Sequence, residues 1–393
     1  MVSEPIVKKP GTPLPEMAQL AKLIMRNGPD IDNIARISGQ YKETIRYRYK
    51  EKILKKGFAL QAIMDYEGLG LRRVVMKVKV NSTYASYARE MFIAMNKLCY
   101  VTSFTFLLPE GRFMIHANVP KELKTGFVDF MGKLKEMGIF DELEVYTFDG
   151  FRNIPMRAEY YDFDHGVWDF DWTRRVEPGK DEVEESSAEF TYDKVDLLIL
   201  KELHTDATRS ISEIRDAIKA TDGIDINYKT LAWHWIKHVQ EKKMIKGYRL
   251  NWMGTSYDFA AERAKQRQHK YVMIAIFVKG VTQAERASLR SDMNKLPFLW
   301  CEAVGEDYHA QLAFPVEMVN DAFSFLEAPI SRFGSRASYH VMDQTNALTF
   351  TISYQLFDNS EREWKMDIPD LVARFQNLVI KIGGNSDGGR SSA

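Results

Sequence analysis

The feature that most constrains this chain is that it is written twice. "MNKL" stands at residues 95–98 and again at 293–296. Four residues alone prove little, but their surroundings keep step. Upstream of each copy lies a short run of branched apolar residues, "VVMKVKV" (74–80) and "VMIAIFV" (272–278), the composition of a buried strand. A helical stretch joins each run to its MNKL. Each MNKL then leads to a strand, a glycine-containing turn, a second strand and a proline that opens a helix. "ELEVYTF" and "SYHVMD" close the two copies. The order β-α-β-β-α-β, met twice, predicts two ferredoxin-like units. "YYDFDHGVWDFD" and "YQLFDNSEREWKMD" carry the echo further, so the chain is one unit of about 195 residues used twice.

Each ferredoxin-like unit is preceded by three helical segments. In the second copy, Val195, Leu198, Ile199 and Leu203 fall at helical spacing. Ser210 or Ser212 can cap a short second helix, and Gly223 marks the turn after it. A third helix from about Tyr228 places Ala232, Ile236 and Val239 on one face. The first copy compresses the plan into "EMAQLAKLIMRNG", "IDNIARISG" and "YKETIRYRYKEKILKKG". Helix, short helix, glycine turn and helix make the helix-turn-helix pattern. The expected fold class is α+β: two copies of a winged-helix-like helix-turn-helix domain followed by a ferredoxin-like βαββαβ domain. The expected segments are a flexible start (1–15), helix-turn-helix domains (16–60 and 190–252), ferredoxin-like domains (68–150 and 268–345), an aromatic and acidic extension with linker (151–189), a second extension with a C-terminal helix (346–382) and a tail (383–393).

Net charge is zero, so any nucleic-acid site must come from local clustering. The third helix of the first copy has such a cluster. Ile45, Tyr49 and Ile53 form its core stripe, which turns Lys42, Arg46, Tyr47 and Lys50 outward. Lys42, Thr44, Arg46, Tyr47, Arg48, Lys50, Lys55 and Lys56 are therefore the expected contacts to double-stranded DNA. Lys229, Thr230, Trp233, His234 and Lys237 are their counterparts in the second copy, a less basic and more aromatic set. The plainer alternative is a solvated helix face.

The two cysteines, Cys99 and Cys301, form no CxxC pair and read as core residues; no metal site, cofactor or catalytic residue is expected. The start of the chain lacks an apolar signal-peptide run, and no segment is apolar enough to span a bilayer. A cytoplasmic protein is the expectation. The stretch "EPGKDEVEESSAEF" (177–190) reads as a tether between repeats. The repeated aromatics of the two extensions suit clamps onto a sheet, with Asp capping turns. Leu371, Phe375 and Val379 would form the apolar face of the last helix.

This layout resembles the Lrp/AsnC (leucine-responsive, feast/famine) transcription regulators. "MIKGYRLNW" is similar to the family's helix exit, and "DYEGLGLRRVVMKVKV" to its approach to the effector domain. "CEAVGEDYHAQLAFP" is similar to its β2–β3 hairpin, with Gly305, Asp307 and Tyr308 at the turn. The first copy keeps only Gly111 there. The resemblance implies a sequence-specific transcriptional regulator rather than an enzyme, and an amino-acid-like effector near Gly305, Asp307, Tyr308 and Gly111. It also implies an intramolecular pseudo-dimer with two unlike reading heads, open to further homo-oligomerisation. An alternative is an enzyme resembling the tetrapyrrole (siroheme-type) decarboxylases, which share this plan. Such a site would cluster His and Arg on the sheet, and His116 and His309 are its candidates. A sensor or architectural protein without DNA specificity is a third reading.

Overall fold

The structure is a computed structural model that describes residues 16–172, 189–253 and 270–387. The proline-rich start, most of the acidic tether and the end of the tail lie outside the described residues. The first half runs α1 (Glu16–Asn27), α2 (Ile31–Ser38) and α3 (Lys42–Arg48), which continues as a π-helical turn over Tyr49–Leu54. Asp30 caps α2 by accepting from the Asn33 amide, and Gly39, at φ +68°, ends it in the left-handed region. Ile45, Tyr49 and Ile53 are buried, as their spacing predicts.

Strand β1 (Ala59–Met64) leads to the first ferredoxin-like unit: β2 (Leu71–Val80), α4 (Ala88–Leu98), β3 (Val101–Leu108), β4 (Arg112–Pro120), α5 (Lys124–Glu136) and β5 (Phe140–Tyr146). A short β6 (Gly150–Asn153) and a hairpin of β7 (Tyr161–Asp162) and β8 (Val167–Trp168) follow. The second half repeats the plan. Its helix-turn-helix is α6 (Lys194–Thr205), α7 (Ile211–Asp222) and α8 (Tyr228–His234), with a π-helical turn over Trp235–Gln240. Then come β9 (Ile245–Asn251), β10 (Tyr271–Val278), α9 (Gln283–Met293), β11 (Leu299–Val304), β12 (Tyr308–Pro315), α10 (Val319–Ser331) and β13 (Ala337–Thr349). The hairpin of β14 (Phe357–Asp358) and β15 (Glu363–Trp364) and the helix α11 (Ile368–Asp387) complete the described chain. Ser210, not Ser212, caps α7, in a reciprocal capping box with Glu213.

The α8 face differs from the expected one. Leu231, His234 and Val239 are buried, whereas Ile236 is 48% exposed. The π turn supplies the reason: its wider winding rotates the residues after Trp235 out of 3.6-residue phase.

One nine-stranded sheet runs β5-β2-β4-β3-β13-β10-β12-β11-β6. Within each unit the strand order is fourth, first, third, second, the ferredoxin-like arrangement. The halves are stitched in three places. β3 pairs with β13 (Leu108 with Val341), β6 crosses over to pair with β11 (Asn153 with Cys301), and β1 pairs with β9 (Leu60 with Leu250). Near β6, the backbone of residues 147–149 lies against the β11–β12 turn, with Thr147 donating to Asp307 Oδ2 at 2.8 Å. The sheet consequently curls. Side chains of β4 and β12 touch across its interior although three strands lie between them in the sheet order.

The repeated extensions are clamps, as their composition suggests. Tyr161 and Phe163 sit on Phe58, with ring centroids 5.3 and 5.6 Å away, and Trp168 meets Trp252 and Phe298. In the second copy Trp364 Nε1 donates to the Tyr192 hydroxyl, which donates to the Leu69 carbonyl. Asp162 and Asp358 each accept two backbone amides of the turn that follows. Leu371 and Phe375 of α11 are buried against α5, where Phe375 meets Phe130. Among the described residues, no helix is long and apolar enough to cross a membrane.

Candidate functional site

The curl of the sheet frames a pocket that is open to solvent, with a cavity volume of about 170 Å³. Its walls come from both halves: Arg73 on β2, His116 on β4, Asn153 on β6, Arg249 on β9, Trp300 on β11 and Gln311 on β12. Two guanidinium groups, those of Arg73 and Arg249, face the cavity, and no Asp or Glu is among its described lining residues. Aromatic faces hold both arginines. Arg73 lies 4.2 Å over the Phe151 ring, and Arg249 lies 4.2 Å over Trp300 while donating to Asn153 Oδ1 and the Trp300 carbonyl. Phe104, Phe350 and four methionines, Met114, Met253, Met273 and Met342, supply adaptable apolar surface. The Gln61 amide nitrogen, at the wall, is buried without a hydrogen-bond partner. Such a pocket suits a large anion with an apolar body.

The pseudo-two-fold axis passes through this site. Leu71 of β2 faces Pro120 of β4, and Tyr271 of β10 faces Pro315 of β12, so His116 and Gln311 are equivalent positions, as are Met114 and His309. Of these two pairs of positions each half carries one histidine, and His204 of α6 adds a further imidazole to the pocket wall. Gln311 Nε2 lies 3.1 Å from His116 Nε2 and 3.3 Å from His309 Nε2, and the two rings meet edge to face at 5.4 Å. His309 Nδ1 donates to the Ile276 carbonyl at 2.9 Å, and Arg73 approaches His116 Nδ1 at 3.2 Å.

These contacts contain one donor too many for two neutral rings. With one Gln311 N–H given to each ring, the His116 proton must sit on Nδ1, facing an Arg73 N–H. With the amide turned, its oxygen faces the bare Nε2 of His309. An acceptor inserted between Arg73 and His116, or a proton on His309, removes the mismatch. Both rings are otherwise held neutral. Burial first, then the Arg73 charge, keeps His116 well below its ordinary pKa. Burial pushes His309 down to about 3 against its bond to Ile276, with Arg73 adding to the decrease.

A stability consequence follows. The unfolded chain takes up a proton on this histidine below its ordinary value of 6.5, and the folded chain does not until about 3. Stability contributed by the neutral ring is therefore complete above 6.5 and lost progressively as pH falls toward 3, by up to roughly 1.4 kcal/mol per pH unit. His309→Gln is expected to flatten the fall in urea-unfolding free energy between pH 6.5 and pH 4. An unchanged slope would refute this origin.

The residues expected to contact DNA are not gathered into one free cationic face. Lys42 pairs with Asp32 at 2.5 Å, Arg46 with Glu43, Arg48 with Glu16 and Gln40, and Lys55 with Glu51 at 2.7 Å. Lys56 donates to the Asp164 carbonyl at 3.3 Å, while Lys50 and Tyr47 are exposed and Thr44 is half-buried. In the second copy Lys229, Thr230 and Trp233 are exposed and Lys237 pairs with Glu241 at 2.6 Å. His234, expected to point outward, is buried and bonded to Asp196. The residues expected to hold an effector stand outside the central pocket. Asp307 accepts from Thr147 and Gly280, Tyr308 is buried and donates to Glu302, and Gly111 occupies a turn at φ +68°. A Cβ on Gly305 would lie 2.5 Å from Phe148 Cα, so this glycine permits the crossing of the two segments.

His116 and His309 are brought together as the enzyme alternative requires. Sequence reasoning missed Arg73, Arg249 and Gln311. The signal was arginine at an inward-facing strand position, in "LRRVVMKV" and "YRLNW".

No protein-family model matches the sequence, and no curated protein matches it. Among solved structures, the siroheme decarboxylase NirDL is similar over 92% of this chain and 100% of its own, with a TM-score of 0.50 and 11% sequence identity. NirDL in complex with an iron-uroporphyrin III analogue is similar over 86% of this chain and 94% of its own, with a TM-score of 0.47 and 10% identity. PH0061 covers 38% of this chain and 98% of its own, with a TM-score of 0.26 and 18% identity. The first likeness supports the fold: helix-turn-helix and ferredoxin-like domains, used twice. It also overturns the expectation of a DNA-binding transcriptional regulator that is not an enzyme. What matches nearly the whole chain is the fold of an enzyme, and the expected DNA-reading arginines are paired to acids.

Proposed function

We propose that this protein binds a polycarboxylated tetrapyrrole in the central pocket and decarboxylates it, a reaction of the siroheme-decarboxylase class. The observation that carries this reading is the convergence of Arg73, Arg249, His116 and Gln311, the last in contact with His309, on one pocket built from both halves. Arginines bind carboxylates, and the Trp300, Phe151 and methionine surfaces suit a flat macrocycle. Loss of CO2 leaves an electron pair on carbon that must take up a proton, R–COO⁻ + H⁺ giving R–H + CO2. His116 is the group placed to deliver that proton. A substrate carboxylate beside Arg73 offsets the guanidinium charge, which raises the proton affinity of His116 when the pocket fills. The neighbouring Gln311 and His309 orient the ring.

The test is titration of the purified protein with iron uroporphyrin followed by the visible spectrum, and incubation under reducing, oxygen-free conditions with siroheme followed by mass spectrometry. Saturable binding that weakens at least ~10-fold in Arg249→Gln, together with products lighter by CO2, is the expected result. Absence of saturable binding to both compounds would sink the proposal.

A further inference from the structure

The second helix-turn-helix contains a cluster that the pocket chemistry does not use. Asp196, in the first turn of α6, is fully buried. Its Oδ2 accepts from the Asp193 backbone amide at 3.0 Å, and the carboxylate meets two imidazoles and no Lys or Arg among the described residues. His234 Nδ1 lies 2.8 Å from Oδ1, and His238 Nδ1 lies 3.0 Å from Oδ1 and 2.8 Å from Oδ2. The ligand atoms of the three residues all fall within 4.8 Å of one another. Asp193 Oδ1 stands 3.7 Å from His234 Nδ1.

We propose that Asp196, His234 and His238 bind a divalent transition-metal cation, with Zn²⁺ the best match, and with Asp193 or water as fourth ligand. The donor set is the first argument. Two imidazole nitrogens and a carboxylate oxygen suit zinc, and the Nδ1 atoms of both rings converge on the Asp196 carboxylate. Spacing is the second. Bonds of about 2.0–2.1 Å to a tetrahedral ion put ligand atoms about 3.3 Å apart. Each histidine nitrogen stands 2.8 Å from an Asp196 oxygen, a few tenths of an ångström short of that, and the two nitrogens lie within 4.8 Å of each other. Charge is the third. Burying a carboxylate such as that of Asp196 is costly unless a cation stands beside it. A dication removes that cost, and the Asp193 carboxylate would bring the site to neutrality. Binding shifts each ring proton from Nδ1 to Nε2, so affinity falls in acid. The ion would fasten the start of α6 to the end of α8, where the π turn begins. Trp233 lies over the cluster, its ring 4.6 Å from His238 and 5.0 Å from His234.

The experiment uses full-length protein stripped with chelator, titrated with ZnCl2 by calorimetry and with CoCl2 by visible absorption. One equivalent binding on the order of 0.1 µM or tighter, with tetrahedral cobalt bands, is expected. Asp196→Asn and His238→Gln should each weaken binding by about 100-fold or more. His165→Gln, which removes an exposed histidine paired with Asp162, should leave it unchanged. Binding no tighter than about 10 µM, or equal loss in His165→Gln, overturns the site. If the core variants fail to fold, X-ray absorption on the cobalt-loaded wild type decides: two imidazoles with oxygen ligands support the site, and sulfur or six-oxygen coordination overturns it.

Discussion

His116→Ala is expected to lower the decarboxylation rate by about 10²–10⁴-fold while changing tetrapyrrole affinity by less than ~10-fold. The asymmetry follows from geometry. In the proposed reaction His116, at the pocket wall, delivers the proton, whereas Arg73 and Arg249 supply the charges that bind the anion. Removing the ring removes a proton donor and leaves both guanidinium groups on their aromatic supports. Single-turnover rates with prebound siroheme, beside a spectral binding titration, separate the two quantities. Equal losses in rate and affinity would assign His116 to binding instead. A rate preserved in His116→Ala but lost in His309→Ala would move the proton donor one step back along the Gln311 contact.

Phe298→Ala should cost about 3–5 kcal/mol of stability, the largest effect expected from any single truncation outside the pocket. Phe298 is fully buried between the halves. Trp168, Phe170 and Trp172 of the first extension pack around it at 5.0, 5.5 and 5.6 Å, and Phe314 of β12 lies at 6.5 Å. The cavity left behind would be lined by rigid rings that cannot collapse into it. Because Trp168 also meets Trp252, which in turn meets Trp300 at the pocket wall, the same substitution should loosen the pocket. Urea unfolding followed by tryptophan fluorescence measures the loss. A cost below ~1 kcal/mol would show that the extension is not a structural clamp.

Much of the fold was legible because its determinants are local. The twin apolar runs at 74–80 and 272–278, with a helix before each MNKL, placed both ferredoxin-like units on the chain. The buried stripe Ile45, Tyr49 and Ile53 follows directly from helical spacing. The face of α8 was misread because a π turn leaves no mark in hydrophobic periodicity, and a buried His234 reads as polar. The basic run from Lys42 to Lys56 was given too much weight for a related reason. Counting charges along a helix says nothing of Asp32, Glu16 and Asp164, which reach it from elsewhere.

By itself the sequence determined that one α+β unit is used twice and which strands and helices build it, since periodicity and capping act over a few residues. The tertiary structure alone decided where the chemistry sits. Arg73, His116, Arg249 and Gln311 come from four strands and both repeats, and only the strand exchange and curling of the sheet bring them to one pocket. That convergence depends on contacts between residues more than a hundred positions apart, which no local pattern encodes.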